Sequence, residues 1–215
     1  GRATMSHKLQ LFAVAASSAC ERVRIALALK QVKYETIIIT DLPPGEFSRI
    51  NPQGLMPALA VDGQVINQSM AMLEFIEETW PQPALLPEDP VRRAEVRAFC
   101  QMVLSDIHPV GTNRMRKKLR EGFGLSEVDT LEWYGHWAAT GFAALEKILT
   151  STRGEGPYCF GAHPTLADLV LIPHMHTAHG LGIDFTGFPS VMAVFNHCVV
   201  QPAFIGAARE NQPDA

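Results

Sequence analysis

Asn51-Pro52-Gln53-Gly54-Leu55-Met56-Pro57-Ala58-Leu59-Ala60-Val61-Asp62-Gly63-Gln64-Val65-Ile66-Asn67-Gln68-Ser69 is the stretch that decides the fold. Asp62-Gly63 separates two short apolar runs, 58–61 and 64–67, and that dipeptide supplies the backbone a two-residue hairpin turn needs. Met56-Pro57 follows a tight Gly-containing turn and precedes the first strand, so it is a candidate cis bond. Gln68-Ser69 then opens a helix. Ser69 can cap it, and Met72, Leu73, Phe75 and Ile76 form its buried stripe.

Toward the N-terminus, residues 8–14 alternate with Leu9, Leu11 and Ala13 on one face, the period of a strand. Residues 23–30 have helical density, and the β-branched, apolar run 34–39 reads as a second strand. A crossover of this length implies parallel pairing and a right-handed connection. The order β-α-β, then β-β-α, is that of a thioredoxin-like α/β domain, assigned to residues 5–82.

Toward the C-terminus, four prolines between Trp80 and Pro90 exclude helix and central strand, so this segment is a linker. Beyond it the strand signal disappears. Val96, Phe99, Cys100, Val103, Leu104 and Ile107 recur at three and four, as do Leu131, Tyr134, Ala138, Phe142, Leu145 and Ile148. Ser126 and Asp129 resemble a capping box opening the second of these helices. Residues 166–173 are apolar on nearly every side and belong at the centre of a bundle. Thr165 and Asp168 give that helix its start signal, and as a cap Asp168 should cost about 0.5–2 kcal/mol to remove. Residues 88–215 therefore read as an all-α helical bundle.

The bulk composition narrows the function. Of 215 residues 47% are hydrophobic and 19% charged, enough for a proper core. A net charge of −4 without a basic, aromatic-interleaved cluster gives no reason to expect nucleic acid. No apolar run approaches the ~20 residues of a membrane helix. Four scattered cysteines without a Cys-x-x-Cys pair suggest a reducing compartment. Gly1-Arg2-Ala3-Thr4 before Met5 reads as a remnant of an expression vector.

Chemistry concentrates at three places. Ser17 and Ser18 lie where the first strand meets the first helix, and free amides and the helix dipole there favour an anion. A hydroxyl at that position either caps the helix or holds a bound thiol as thiolate. Lowering a thiol pKa from ~8.5 by ~2 units requires about 2.7 kcal/mol, within reach of one charge-assisted hydrogen bond plus the dipole. The bend at Met56-Pro57 would expose backbone to an extended peptide. Gln68 and Ser69 can receive carboxylate and ammonium groups, or serve only as a cap.

The run Ser17-Ser18 followed by Arg22-Val23-Arg24-Ile25-Ala26-Leu27-Ala28-Leu29-Lys30, together with Asn51-Pro52-Gln53, Met56-Pro57, Gln68-Ser69 and Asp106-Ile107-His108-Pro109, resembles the zeta class of glutathione transferases. That class includes maleylacetoacetate and maleylpyruvate isomerases. Further matches, His136-Trp137, Thr165-x-Ala167-Asp168 and Gln212-Pro213-Asp214 among them, extend the resemblance over residues 9–214. The resemblance implies a glutathione transferase fold, glutathione as cofactor, a cytoplasmic homodimer, and a role in aromatic amino acid catabolism. By it Ser17 is the catalytic residue that stabilises the thiolate, with Ser18 nearby and Arg22 in the same binding set. The Met56 backbone, ahead of Pro57, meets the cysteinyl part; Gln68 and Ser69 hold the γ-glutamyl end. His108, Thr112, Asn113 and Arg114 would line the cleft from the helical side. The implied chemistry is cis-trans isomerisation of a maleyl diacid, or conjugation to small electrophiles, without a metal.

Four features depart from the class pattern, one of them a short loop at Asp41-Leu42-Pro43-Pro44-Gly45. Ala19-Cys20 stands for Cys-Ser, Ala16 stands where an arginine is frequent, and Gly180 where the class tends to carry another. These bear on recognition of a dicarboxylate and leave glutathione binding intact. Ser17-x-x-Cys20 also admits a thiol–disulfide enzyme, though its leading position lacks a sulfur; a non-catalytic glutathione-binding dimer is the third reading. His174, His176 and His179 fall on different helix faces, poor geometry for a shared metal.

Overall fold

The computed structural model describes residues 7–154 and 156–215; the stretch read as a vector remnant lies outside them. They form two compact units, one of residues 7–83 with Pro202–Ala215 and one of Ala84–Gln201.

In the first unit, β1 (Leu9–Ala13) buries every second side chain, as its alternation requires. Helix α1 (Ser18–Leu29) starts five residues before the run that periodicity marks, because Ser17 caps it and polar Ser18, Glu21 and Arg22 are buried in its first turns. After β2 (Glu35–Ile38), a 3₁₀ turn and the short α2 (Glu46–Ile50) fill the segment before β3 (Ala58–Val61), β4 (Gln64–Asn67) and α3 (Ser69–Thr79). The sheet order is β2-β1-β3-β4; β1 pairs parallel with β2 and antiparallel with β3, which pairs antiparallel with β4. The hairpin turn has φ of 49° at Asp62 and 87° at Gly63, both left-handed, the conformation Asp-Gly was read to supply. Lys30 Nζ meets Glu77 at 2.5 Å and donates to the Pro83 carbonyl at 2.6 Å, tying the end of α1 to α3 and to the linker.

Ser69 does not cap α3. The cap position is Gln68, whose side chain makes no capping bond, and the Ser69 hydroxyl instead accepts from Arg22.

The second unit is helical. α4 (Pro90–Gln101) begins with proline at its first position, capped by Asp89, and continues into a π-helical turn, Met102–Ile107. α5 (Asn113–Phe123) was not legible from periodicity, since its apolar side is only Met115, Leu119 and an exposed Phe123 while Arg114, Arg116, Lys117, Lys118 and Arg120 crowd the rest. Thr112 caps it by accepting from the Met115 amide at 3.4 Å, and Gly124 closes it at φ 71°. α6 (Glu127–Thr152) opens with the Ser126–Asp129 capping box. α7 (Leu166–Gly180) runs past Pro173, with residues 166–175 all buried, and α8 (Pro189–Cys198) follows. Glu146 of α6 accepts from the Ser190 and Val191 amides at 2.9 Å, so a side chain from α6 satisfies the first turn of α8. Gly111 is required by close approach: a Cβ there would lie 2.2 Å from the Tyr134 ring.

The helical unit ends at Gln201, not at residue 215. α9 (Pro202–Ala207) and the residues after it join the first unit, because Arg24 donates to the Ala207 carbonyl at 2.9 Å and Asp214 accepts from the Ala15 amide at 2.8 Å. Reading residues 88–215 as helical does not say which unit α9 covers.

Candidate functional site

Strand register brings the three candidate segments of the first unit to one end of the sheet. Ala58 faces Phe12 of β1 on one side and Asn67 of β4 on the other. The chain leaving β1 toward Ser17, the Met56-Pro57 step into β3, and Gln68-Ser69 leaving β4 therefore share that end.

Ser17 holds extended dihedrals, φ −86° and ψ 118°, and its Oγ accepts from the Cys20 amide at 3.3 Å. Accepting that bond leaves the hydroxyl proton available to donate. Ser18 is buried. Arg22 is 2% exposed and donates to Ser69 Oγ at 3.2 Å, so a guanidinium in α1 lies against the first residue of α3. The Met56-Pro57 peptide is cis. Ahead of it, buried Asn51 donates through Nδ2 to the Leu55 carbonyl at 2.6 Å and accepts from the Gln53 amide at 3.1 Å, closing the turn that carries Met56. Gln68 sits at φ 70°, ψ 120°, a left-handed conformation that costs a non-glycine residue roughly 1–3 kcal/mol and that clusters at binding sites. Its amide donates to Gln53 Oε1 at 2.7 Å.

Cys20, three residues beyond Ser17, is wholly buried. Burial pushes its thiol up, and the hydrogen bond with Ser17 offsets only part of that. A buried, protonated thiol is a poor nucleophile. Cys20→Ser is expected to retain most glutathione-dependent turnover; a loss beyond about tenfold, measured on folded protein, would return Cys20 to the chemistry.

In the second unit, His108 is half-buried and meets His174 edge to face at 5.6 Å. The Tyr134 hydroxyl and His174 Nε2 are 3.0 Å apart, and burial pushes the phenol up, which keeps it a neutral donor. His108, Thr112, Tyr134, His174 and Thr177 line a cavity of about 20 Å³, room for one water. Asn113 is turned toward Arg116, which donates to its Oδ1 at 2.7 Å, while Arg114 is exposed. The three histidines of α7 have three separate surroundings: Tyr134 around His174, the Phe195 ring 5.4 Å from His176, and solvent at His179.

Residues 16–79 match the family described as glutathione S-transferase, N-terminal domain. Over 213 residues the chain is 38% identical to maleylacetoacetate isomerase of Pseudomonas aeruginosa, covering 96% of this chain and 98% of that one. The chain belongs to the maleylacetoacetate isomerase family of zeta-class glutathione transferases. A solved bacterial member, maleylpyruvate isomerase in its holo form, superposes with a TM-score of 0.90 at 40% identity, covering 96% of this chain and 99% of that one. A second, maleylacetoacetate isomerase of Anaeromyxobacter dehalogenans, was solved with dicarboxyethyl glutathione and citrate bound in its active site. It aligns at TM-score 0.87 and 36% identity over 98% of this chain and 95% of its own.

Against the zeta-class pattern, the two departures at arginine positions are surface ones. Ala16 and Gly180 are exposed, and a Cβ at Gly180 would meet nothing within 4 Å. Sequence reasoning placed Tyr134 in the buried stripe of α6, where it lies, but did not reach its contact with His174, and it gave no role of their own to Asn51 and Arg24. Asn51 stood in a quoted motif without a role, and its burial at 1% exposure is the signal that assigns one.

Proposed function

We propose that this zeta-class chain binds glutathione at the Ser17 end of its sheet and uses the thiolate to isomerise a maleyl diacid, with conjugation to small electrophiles as a side activity. The observation that carries the reading is the meeting of a hydroxyl-capped helix start, the Met56-Pro57 turn and the strained Gln68 at one sheet end. In this reading Ser17 donates to the sulfur, with Ser18 and the α1 dipole behind it. Met56, ahead of Pro57, pairs with the cysteinyl backbone. Gln68 and Ser69, the latter oriented by Arg22, hold the γ-glutamyl group. His108, Thr112, Asn113 and Arg114 receive the electrophile.

The chemistry needs only the thiolate. Sulfur adds to one carbon of the cis double bond and the electron pair moves toward the conjugated carbonyl. The new single bond rotates, then the C–S bond breaks and returns the thiolate with a trans product. Dicarboxyethyl glutathione, the ligand of the Anaeromyxobacter relative, is glutathione carrying a two-carboxylate ethyl group on sulfur, the kind of adduct such an addition forms. The four cysteine thiols are buried, which suits a cytoplasmic enzyme, and the zeta-class kinship supports a homodimer. No helix among the described residues is long and apolar enough to cross a membrane.

Turnover of maleylacetone beside a chromogenic electrophile tests the reaction, and sedimentation tests the dimer. Calorimetry tests the binding site: Gln68→Ala removes a side chain assigned to a charged group, and glutathione affinity is expected to fall about tenfold. Equal affinity of wild type and variant would sink the γ-glutamyl assignment.

A further inference from the structure

The loop that delivers Ser17 to α1 is held by two side chains whose place in the reaction the sequence does not suggest. After β1 the backbone of Val14 and Ala15 makes few ladder bonds, and its polar groups must be satisfied elsewhere. Arg24, 3% exposed, supplies most of them: one terminal nitrogen donates to the Val14 carbonyl at 3.3 Å and the other to the Ala15 carbonyl at 3.2 Å. Its Nε donates to the Ala207 carbonyl of α9 at 2.9 Å. Asp214 completes the clamp, its Oδ2 accepting from the Ala15 amide at 2.8 Å. The trace of Val14 and Ala15, just before Ser17, is thus set from α1 and from Asp214, 199 positions away from Ala15 in sequence.

We propose that Arg24 and Asp214 are positioning residues for Ser17, so that the segment after α9 is part of the device that ionises bound glutathione. The proposal rests on the functional reading above. Ser17 has one short side chain and must place a hydrogen within bonding distance of sulfur, and at catalytic centres an error of 1 Å can cost about 100-fold. Its extended cap dihedrals leave the Oγ position determined by where the preceding residues run. An arginine forked between two successive carbonyls, with a carboxylate on the intervening amide, fixes that course more tightly than the weak 3.4 Å turn bond from Ser17 N to Val14 O.

The test is the pKa of glutathione bound to the protein, titrated by thiolate absorbance, in wild type, Asp214→Ala and Asp214→Asn. Asp214→Ala is expected to raise that pKa by about 0.5–1 unit, a three- to tenfold loss of thiolate below it, while glutathione affinity measured below about pH 6, where it binds as the thiol, changes less than about twofold. Asp214→Asn keeps an acceptor for the Ala15 amide and is expected to restore the wild-type value. A lower melting temperature in Asp214→Ala with an unshifted thiol pKa would reduce the clamp to a structural role and overturn the proposal alone. Absence of any thiolate signal in wild type would overturn the functional reading, and this proposal with it. Arg24→Lys gives a second arm: a lysine keeps the charge but cannot fork between two carbonyls, and the same upward shift is expected.

Discussion

Ser17→Ala is expected to lower turnover near neutral pH by up to about 25-fold while leaving the protein folded. The size follows from ionisation. In the limit where the hydroxyl supplies the whole depression of bound thiol from ~8.5 to ~6.5, the thiolate fraction at pH 7 falls from about three-quarters to about 3%. The share held by the α1 start, which the variant keeps, makes the loss smaller. Stability changes far less, by ~1 kcal/mol, because alanine cannot accept from the Cys20 amide as the cap does now. The sign with pH is fixed: the acid limb of kcat/KM moves to higher pH by up to about two units, and activity recovers above ~9 where free thiol ionises unaided. A variant slowed equally at all pH values would mean that Ser17 does something other than ionise sulfur. A variant that keeps full activity would hand the thiolate to another group, and buried Cys20 is a weak candidate for it.

Much of the N-terminal fold was legible because local signals there coincide with tertiary ones. Asp62-Gly63 specifies its turn by backbone conformation alone, and the alternation in β1 matches the face the helices cover. The three site segments were separately readable, yet only register brings them together: Ala58 opposite both Phe12 and Asn67 is a fact about pairing, not about any one stretch. Where local and tertiary signals parted, the sequence misled. Ser69 looks like a cap and is instead an acceptor for Arg22, since a buried guanidinium competes for the hydroxyl more strongly than a helix amide. α5 escaped notice because its surface is mostly charge, with Arg116 and Arg120 both drawn to Glu127. The placement of α9 depends on Arg24 and Asp214, partners that no window of sequence contains together.

Asp168→Ala is expected to cost more than a helix cap usually does, about 2–4 kcal/mol, with the folded fraction still catalytically competent. The Thr165-x-x-Asp168 start signal identified Asp168 as the N3 member of a capping box, and it is one: Oδ2 accepts from the Thr165 amide at 2.8 Å. The structure adds that the carboxylate is wholly buried and that Oδ1 accepts from the Cys159 amide at 2.8 Å, fastening the segment before α7 onto the helix start. Alanine would leave two buried amides without acceptors, each costing roughly 1–3 kcal/mol, offset in part by removal of a buried charge. Burial also raises the carboxyl above its ordinary 3.8, although the four hydrogen bonds oppose the rise. A raised folded-state pKa contributes stability that is fully present below 3.8 and is lost as pH climbs through the folded value. The penalty of Asp168→Ala should therefore be larger in mild acid, just above 3.8, than at pH ~7, and Asp168→Asn, which does not titrate, should differ from wild type in the same direction. Urea unfolding of the three proteins across that range measures both effects. A penalty under ~1 kcal/mol at every pH would reduce Asp168 to an ordinary cap; a stable variant without turnover would make it catalytic.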